Sequence, residues 1–312
     1  MMPRPGRFFA SDGVALIVVL WAVALISAAM LGLAAILQRQ LGQELAALQN
    51  SRSVLVAESG IQMCLNPGIQ PGTVELASRV MTAQLQQGWA VPVECLVRAE
   101  DLRGEEGKIN LNALALGDRE FCRRVLTNLL GLWDVSPTTS SAFIDGLLDY
   151  VDPDDQTTGN NDRTEEMVKN APLEKLEELE KISGWDQVQK ESKVSNWRDK
   201  FTIYGSGKLS LKSADEDVIE AWLGLAQGAA AQFVQFRKGQ DQTYGTSDDQ
   251  INLNILPPLS TEAQTRIQME DSDLWRVTST GSVGPVKNVV VALISRNPPQ
   301  IKARWVEDSG RK

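Results

Sequence analysis

The sequence contains no histidine, which excludes nucleophile triads built on imidazole and zinc sites of the His-rich kind. Only three cysteines occur, Cys64, Cys95 and Cys122, and none forms a C-x-x-C pair. That removes a zinc knuckle and a thioredoxin-like motif. Two readings of the thiols remain open: one disulfide, Cys64–Cys95, or three buried thiols acting as small hydrophobes. Basic residues are in the minority, with 31 Lys+Arg against 40 Asp+Glu and a net charge of −9. Such a balance argues against a polyanion as partner, so nucleic acid is not an expected ligand. No fixed-period repeat is present. What is there is 312 residues, 43% of them hydrophobic, room for a membrane helix and two compact units of roughly 100 residues each.

From Val14 to Leu37 no charged residue interrupts the chain. At the helical rise this stretch covers roughly 36 Å, enough for the hydrocarbon core of a bilayer. Arg4 and Arg7 precede it with a single acid, Asp12, and the chain turns acidic after it. The positive-inside tendency then keeps the N-terminus in the cytoplasm and the bulk of the chain outside. A cleaved secretory signal has an apolar region of about 7–15 residues, and this run is too long for one. Beyond the membrane, Leu41, Leu45, Leu48 and Leu55 continue an apolar stripe at helical spacing, so one helix is expected from Val14 to about Met63.

A short polar leader ending in Gly13, followed by a membrane helix that continues as an amphipathic one, resembles the N-terminus of type IV pilins and pseudopilins. The resemblance implies cleavage by a prepilin peptidase after Gly13 and methylation of Val14 as the first mature residue. Two positions depart from the family pattern. Asp12 stands where a basic residue usually precedes the glycine, and Val18 occupies the fifth mature position, where most members carry glutamate. In an assembled filament that glutamate would neutralise the terminal amine of the neighbouring subunit, because a buried unpaired charge is costly. A subunit without it suits the tip, with no subunit above it. A plain signal anchor, in which Val18 has no such meaning, is the alternative.

After the long helix, Pro67, Gly68, Pro71 and Gly72 break the chain. A second helical stretch is expected over 74–87, a β-rich one over 91–99, and a tight turn entering a short strand over 105–112. Helical periodicity then takes over, carried by Phe121, Val125, Leu129 and Leu132, by Phe143, Leu147 and Leu148, and by Leu173, Leu176 and Leu179. Strand composition returns at 201–204 and 208–211, helices are expected over 215–223 and 226–236, and closing strands over 274–282, 286–295 and 301–306. The reading is an α+β fold interrupted by an all-helical segment.

Such discontinuity resembles the K-type minor pseudopilins of type II secretion systems. The residues that carry it are Gly107-Lys-Ile-Asn-Leu-Asn112, Leu148-Asp-Tyr-Val-Asp-Pro-Asp-Asp155, Asn170-Ala-Pro-Leu173 and Ile203-Tyr204. With the leader they cover most of residues 8–215; the last third matches in layout. The resemblance implies a prepilin leader (1–13), a transmembrane helix (14–37), a pilin-like α/β domain in two parts (38–112 and 201–312), and an inserted all-α domain (113–200).

The densest acidic cluster comprises Asp149, Asp152, Asp154, Asp155 and Asp162, with Glu165 and Glu166 behind. Carboxylates alternating with Asn and Gly suit a hard cation with six to eight oxygen ligands. The loop is not an EF-hand, and solvation of an exposed acidic loop explains it equally well. The resemblance implies calcium here, with Asp149, Asp152, Asp154, Asp155, Asp162 and Glu165 as candidate ligands. A second loop, Asp241 to Asp249 with Asp248 beside it, looks like the D-G-x-x-G-T-x-D-D loops of pseudopilins, with Gln242 in place of glycine; it reads as an Asx-stabilised turn or a further calcium loop. The tract 108–112 with Ile182-Ser-Gly184 also resembles helix-hairpin-helix modules, but Glu174, Glu177, Glu178 and Glu180 give it an acidic face unsuited to phosphate. No nucleophile accompanies the acids, so no catalytic constellation emerges.

The expected role is that of a non-enzymatic tip subunit of an inner-membrane-anchored pseudopilus. Its partners would be I-type and J-type minor pseudopilins, the major pseudopilin and the prepilin peptidase, with the bulk of the chain in the periplasm. A minor pilin of a type IV pilus or competence system is the second reading, and an anchored periplasmic metal-dependent enzyme the third.

Overall fold

A computed structural model describes residues 12–66, 93–97, 102–153, 169–240, 242 and 248–307, the side chains of 12–15, 93 and 102 excepted. The helix expected over 74–87 lies outside the described residues.

Helix α1 (Asp12–Cys64) runs 53 residues without a break. Among the described residues it is the one helix long and apolar enough to cross a membrane. Two short strands follow, β1 (Val93–Leu96) and β2 (Leu102–Gly104). A 3₁₀ turn at Glu105–Gly107 leads into the helical body. There β3 (Ile109–Asn110) is followed by α2 (Leu111–Ala115), α3 (Arg119–Leu132), α4 (Pro137–Val151) and α5 (Trp185–Glu191). The body continues with β4 (Phe201–Thr202), β5 (Leu209–Ser210), α6 (Glu216–Leu223), α7 (Ala231–Arg237), α8 (Thr261–Thr265) and β6 (Ile267–Gln268). The chain closes with β7 (Trp275–Val283), β8 (Val286–Arg296) and β9 (Pro299–Glu307).

The closing strands form an antiparallel meander. β8 lies between β7 and β9, while β1 and β2 pair in succession along the other edge of β7, β1 with Thr280–Val283 and β2 with Trp275–Val277. The β7–β8 connection is two residues long with Gly284 at φ 58°, a left-handed conformation that glycine adopts without steric cost. The hairpin strands are contiguous in sequence, but β1 and β2 reach β7 only by enclosing the whole helical body between β2 and β7.

The distal part of α1 packs on this sheet through small residues. Ser53, Ala57, Gly60, Ile61 and Cys64 are buried at helical spacing, whereas Leu41, Leu45, Leu48 and Leu55 are exposed. Gly281 of β7 lies so close that a Cβ there would sit 2.5 Å from the Ala57 amide nitrogen, so helix and strand backbones touch. Ala57, Ile61 and Cys64 join Val97, Val277, Val290, Ala292 and Ile294 in one compact core.

The second, larger core lies in the helical body. α3 starts at Asp118, whose Oδ1 accepts from the amides of Glu120 and Phe121 at 3.0 and 3.2 Å, capping the orphan donors of the first turn. It buries Phe121, Cys122, Val125, Leu126, Leu129 and Leu130, the stripe that its periodicity predicts. α4 starts at Ser136 with Pro137 in its first turn. Phe143, Trp185, Trp197 and Phe201 stack edge-on or tilted with neighbouring centroids 4.9–6.3 Å apart. This core continues without interruption through Leu209, Ile219 and Phe233 to Ile267. The change of composition at residue 200 is therefore no border of the core, because β4 and β5 pair inside the body, parallel with β3 and β6.

The cysteines take the second of the two readings. All three are free and buried, and the Cys64–Cys95 disulfide is absent. Cys95 Sγ lies 3.7 Å from Ser279 Oγ, under Gly60 of α1. Burial pushes the Cys64 and Cys122 thiols up to about 12, so they stay protonated and pack as small apolar groups.

Candidate functional site

Four places carry the residues singled out by sequence: the start of α1, the acidic segment after α4, the turn after α7, and the tract 107–112. The first three are only partly described. Gly13 and Val14 fall in the first turn of α1. Val18 is 61% exposed on the outside of that helix, with no charged side chain in its place. Asp149 is half-buried in the last turn of α4, and Asp152 caps that helix and pairs with Arg119. Asp154, Asp155, Asp162 and Glu165 lie outside the described residues, as does Asp241. Asp248 Oδ2 accepts from the Gln240 amide eight residues earlier at 2.7 Å, and Asp249 is half-buried beside it. Among the described residues no group of three or more acids or cysteines converges on a point where a metal ion would sit.

The tract 107–112 is the best-defined of the four, and each of its residues has a separate task. Gly107 lies against the backbone of Ser213, where a Cβ would come within 2.5 Å of the carbonyl carbon. Ile109 is fully buried and pairs with Phe201. Asn110 caps α2 by accepting from the Ala113 amide at 3.1 Å and donates to the carbonyls of Tyr204 and Gly205 at 2.9 and 3.2 Å. Asn112 donates to the Leu173 carbonyl at 2.9 Å and accepts from the Leu173 amide at 2.8 Å, mimicking a backbone pair. The segments Asn170–Leu173 and Ile203-Tyr204 thus belong with Gly107–Asn112 because they are its hydrogen-bond partners.

Of the two glutamates just before this tract, Glu105 joins the body to the sheet and Glu106 bonds within the body. Glu105 is fully buried; Arg276 of β7 donates from Nε and Nη2 at 2.7 and 2.6 Å, and Thr202 of β4 donates at 2.5 Å. Burial pushes the Glu105 carboxyl up, but the Lys108 charge and the Arg276 hydrogen bonds outweigh it and hold the group below its ordinary value. Glu106 accepts from the Ser206 amide at 2.7 Å and from the Gln268 side-chain amide. Lys200 is held by two acids of the α6 start, 2.9 Å from Asp215 and 2.7 Å from Asp217. Lys108, by contrast, is 8% exposed, and its Nζ has no hydrogen-bond partner. This charged junction escaped the sequence reading. Alternating Glu, Arg and Lys in a polar stretch look solvated until the fold buries them.

Residues 107–192 match the family model described as type II secretion system (T2SS), protein K. The segment is a protein K domain. Its start coincides with the junction just described, and its span covers α2 to α5, the first four helices of the inserted body. No curated protein matches the chain. A solved structure, the GspK-GspI-GspJ complex from the enterotoxigenic Escherichia coli type 2 secretion system, contains a chain of the same fold. The TM-score is 0.58 at 15% identity, over 87% of this chain and 99% of that one. The protein K match therefore sits within a chain that shares its overall fold with that structure. Gly184, the hairpin glycine of the helix-hairpin-helix likeness, has φ 84° in this domain and abuts the backbone of Phe143, so close packing of α4 and α5 accounts for it.

Proposed function

We propose that the chain is a minor pseudopilin of a type II secretion system that occupies the tip of the pseudopilus with I-type and J-type minor pseudopilins. The observation that carries this reading is the protein K domain enclosed between β2 and β7 of a helix-plus-sheet unit. The first half of α1 anchors the chain in the inner membrane, and the remainder lies in the periplasm. Maturation is by prepilin peptidase cleavage after Gly13 and methylation of Val14.

Three features support a tip position. The exposed Leu41, Leu45, Leu48 and Leu55 offer a helical stripe to neighbouring pseudopilin helices. The helical body, running from Ile109 to Ile267, is bulkier than the sheet that carries it and would obstruct a subunit stacked above. Val18 brings no carboxylate to neutralise the terminal amine of a neighbour. Initiation and capping then follow from shape, and the role is structural, in support of export across the outer membrane. Calcium belongs to the same proposal, bound by carboxylates of the segment 149–165.

Co-purification of the full chain in detergent with I-type and J-type pseudopilins from the same genome tests the assignment. A stable ternary complex is the expected outcome. Failure of a folded chain to bind either partner would overturn it and favour a surface-binding minor pilin.

A further inference from the structure

A cavity of about 620 Å³ opens on the helical body beside α7, within the range of about 300–1,000 Å³ that small-molecule sites occupy. One wall is a single face of α7, where Gln232, Gln235 and Phe236 stand at i, i+3 and i+4 spacing and are exposed. The other face of the helix is fixed in the body. Phe233 is fully buried there, and the buried Arg237 donates from Nη1 to the carbonyls of Leu211 and Ala214 at 2.6 and 2.7 Å. Gln250 and Ile255 form the facing wall, Ile255 in a 3₁₀ turn that packs on α7. At the rim the Gln242 side-chain amide donates to the Gly239 carbonyl at 2.7 Å, and a Cβ on Gly239 would collide with Asp248 Oδ2. The walls are therefore held by the fold itself, and the cavity is preformed.

Two features of the lining narrow the ligand. The described lining residues include no lysine or arginine, and their one carboxylate, Asp248, already accepts from the Gln240 amide. An anion would find no counter-charge. The glutamine amides instead offer two N–H donors and a carbonyl acceptor each, which suits hydroxyl groups that both donate and accept. The second feature is Phe236, 42% exposed. Beyond α1, only Leu116 and Val306 accompany it as large apolar side chains left open to solvent among the described residues, and neither lines this cavity. The face of an aromatic ring is electron-rich and attracts weakly positive C–H groups. A ring that presents C–H groups on one face and hydroxyls around its edge meets both demands, and that is a sugar. A peptide suits the cavity less well, because its usual docking modes need a free strand edge or an apolar groove, and the described lining supplies neither.

We infer that this cavity binds a neutral oligosaccharide, one ring stacked on Phe236 and its hydroxyls shared among Gln232, Gln235 and Gln250. The site goes beyond the pseudopilin reading and does not depend on it, since every lining residue belongs to this chain. Neutral glycans occur with and without N-acetyl groups, and the two kinds are separated by the choice of probe.

The test uses the full chain in lipid nanodiscs, free of sugar-based detergent, titrated with tetra-N-acetylchitotetraose and with maltotetraose and followed by saturation-transfer NMR of the sugar protons. Saturable binding of at least one sugar is expected, about tenfold weaker in Phe236→Ala, weakened also in Gln235→Ala, and unchanged in Leu116→Ala. All three substitutions replace exposed side chains, and an unchanged circular dichroism spectrum confirms that each variant is folded. Preference for the first sugar assigns the site to N-acetylated glycans, and preference for the second to plain glucans. No saturable binding of either sugar, or full binding by Phe236→Ala, would overturn the proposal. An equal loss in Leu116→Ala would reduce it to general apolar adhesion, and binding of tetra-alanine in place of both sugars would replace the sugar with a peptide.

Discussion

At the scale of single residues, the junction rests on side chains whose importance comes from burial. Glu105 has a folded pKa below its ordinary value near 4.5. Its contribution to stability is therefore present above that value and is lost as pH falls through the lowered one. Glu105→Gln should remove that acid-side slope. It should also destabilise the chain by about 3 kcal/mol or more, because Arg276 is left buried without its counter-charge. Urea unfolding of the detergent-solubilised chain, followed by tryptophan fluorescence between pH 4 and 7, reads both effects. Asn112→Ala breaks two hydrogen bonds to Leu173 and should cost about 1–3 kcal/mol in the same assay. A loss below 0.5 kcal/mol would show that water replaces the amide without penalty. The tract Gly107–Asn112 could be picked out of the sequence as a motif. Its purpose could not, because its partners Leu173, Tyr204 and Ser213 lie 61 to 106 residues further along the chain.

At the scale of elements, the long helix and the sheet meet through residues too small to announce themselves. The leucines 41, 45, 48 and 55 mark the conspicuous stripe of α1, yet they face outward, and the sheet takes Ser53, Ala57 and Gly60 instead. Gly281→Ala should be destabilising by about 1–3 kcal/mol, since the added methyl would meet the Ser53 carbonyl and the Ala57 backbone. Gly131→Ala is the control. It adds a methyl to an open position of α3 and should stabilise by about 0.5–1 kcal/mol. Hydrogen exchange at residues 53–64 locates the first effect: faster exchange there in Gly281→Ala, with α3 unaffected, is the expected pattern. The helices α3 and α4 were legible because their apolar spacing matches the helical period. The short strands at 201–202 and 209–210 were legible as strands but not as members of the helical body, because parallel pairing is a long-range event without a local signature.

At the scale of the whole molecule, calcium binding and the tip position concern separate parts of the chain. If calcium is bound in the native state only, a chelator should lower the unfolding midpoint, since a ligand at a hundredfold excess over its Kd adds about 2.7 kcal/mol. Identical melts with and without chelator would remove calcium from the account. At the membrane end, Val18→Glu should let the subunit enter lateral filament positions better than the native chain, measured by cross-linking to the major pseudopilin. Unchanged incorporation would count against the charge argument for the tip.

Local chemistry determined much of this protein. A charge-free run sets the long apolar helix, amphipathic stretches set the helices of the body, and strand-rich composition sets the closing strands. These signals are local because backbone hydrogen bonding and side-chain periodicity act over a few residues. Tertiary structure alone decided that the body extends to Ile267, that Cys64 and Cys95 remain thiols, and that Glu105, Lys108 and Arg276 are buried together. Each of those outcomes depends on which distant segments exclude water from one another. That is a property of the packed chain and of no short stretch within it.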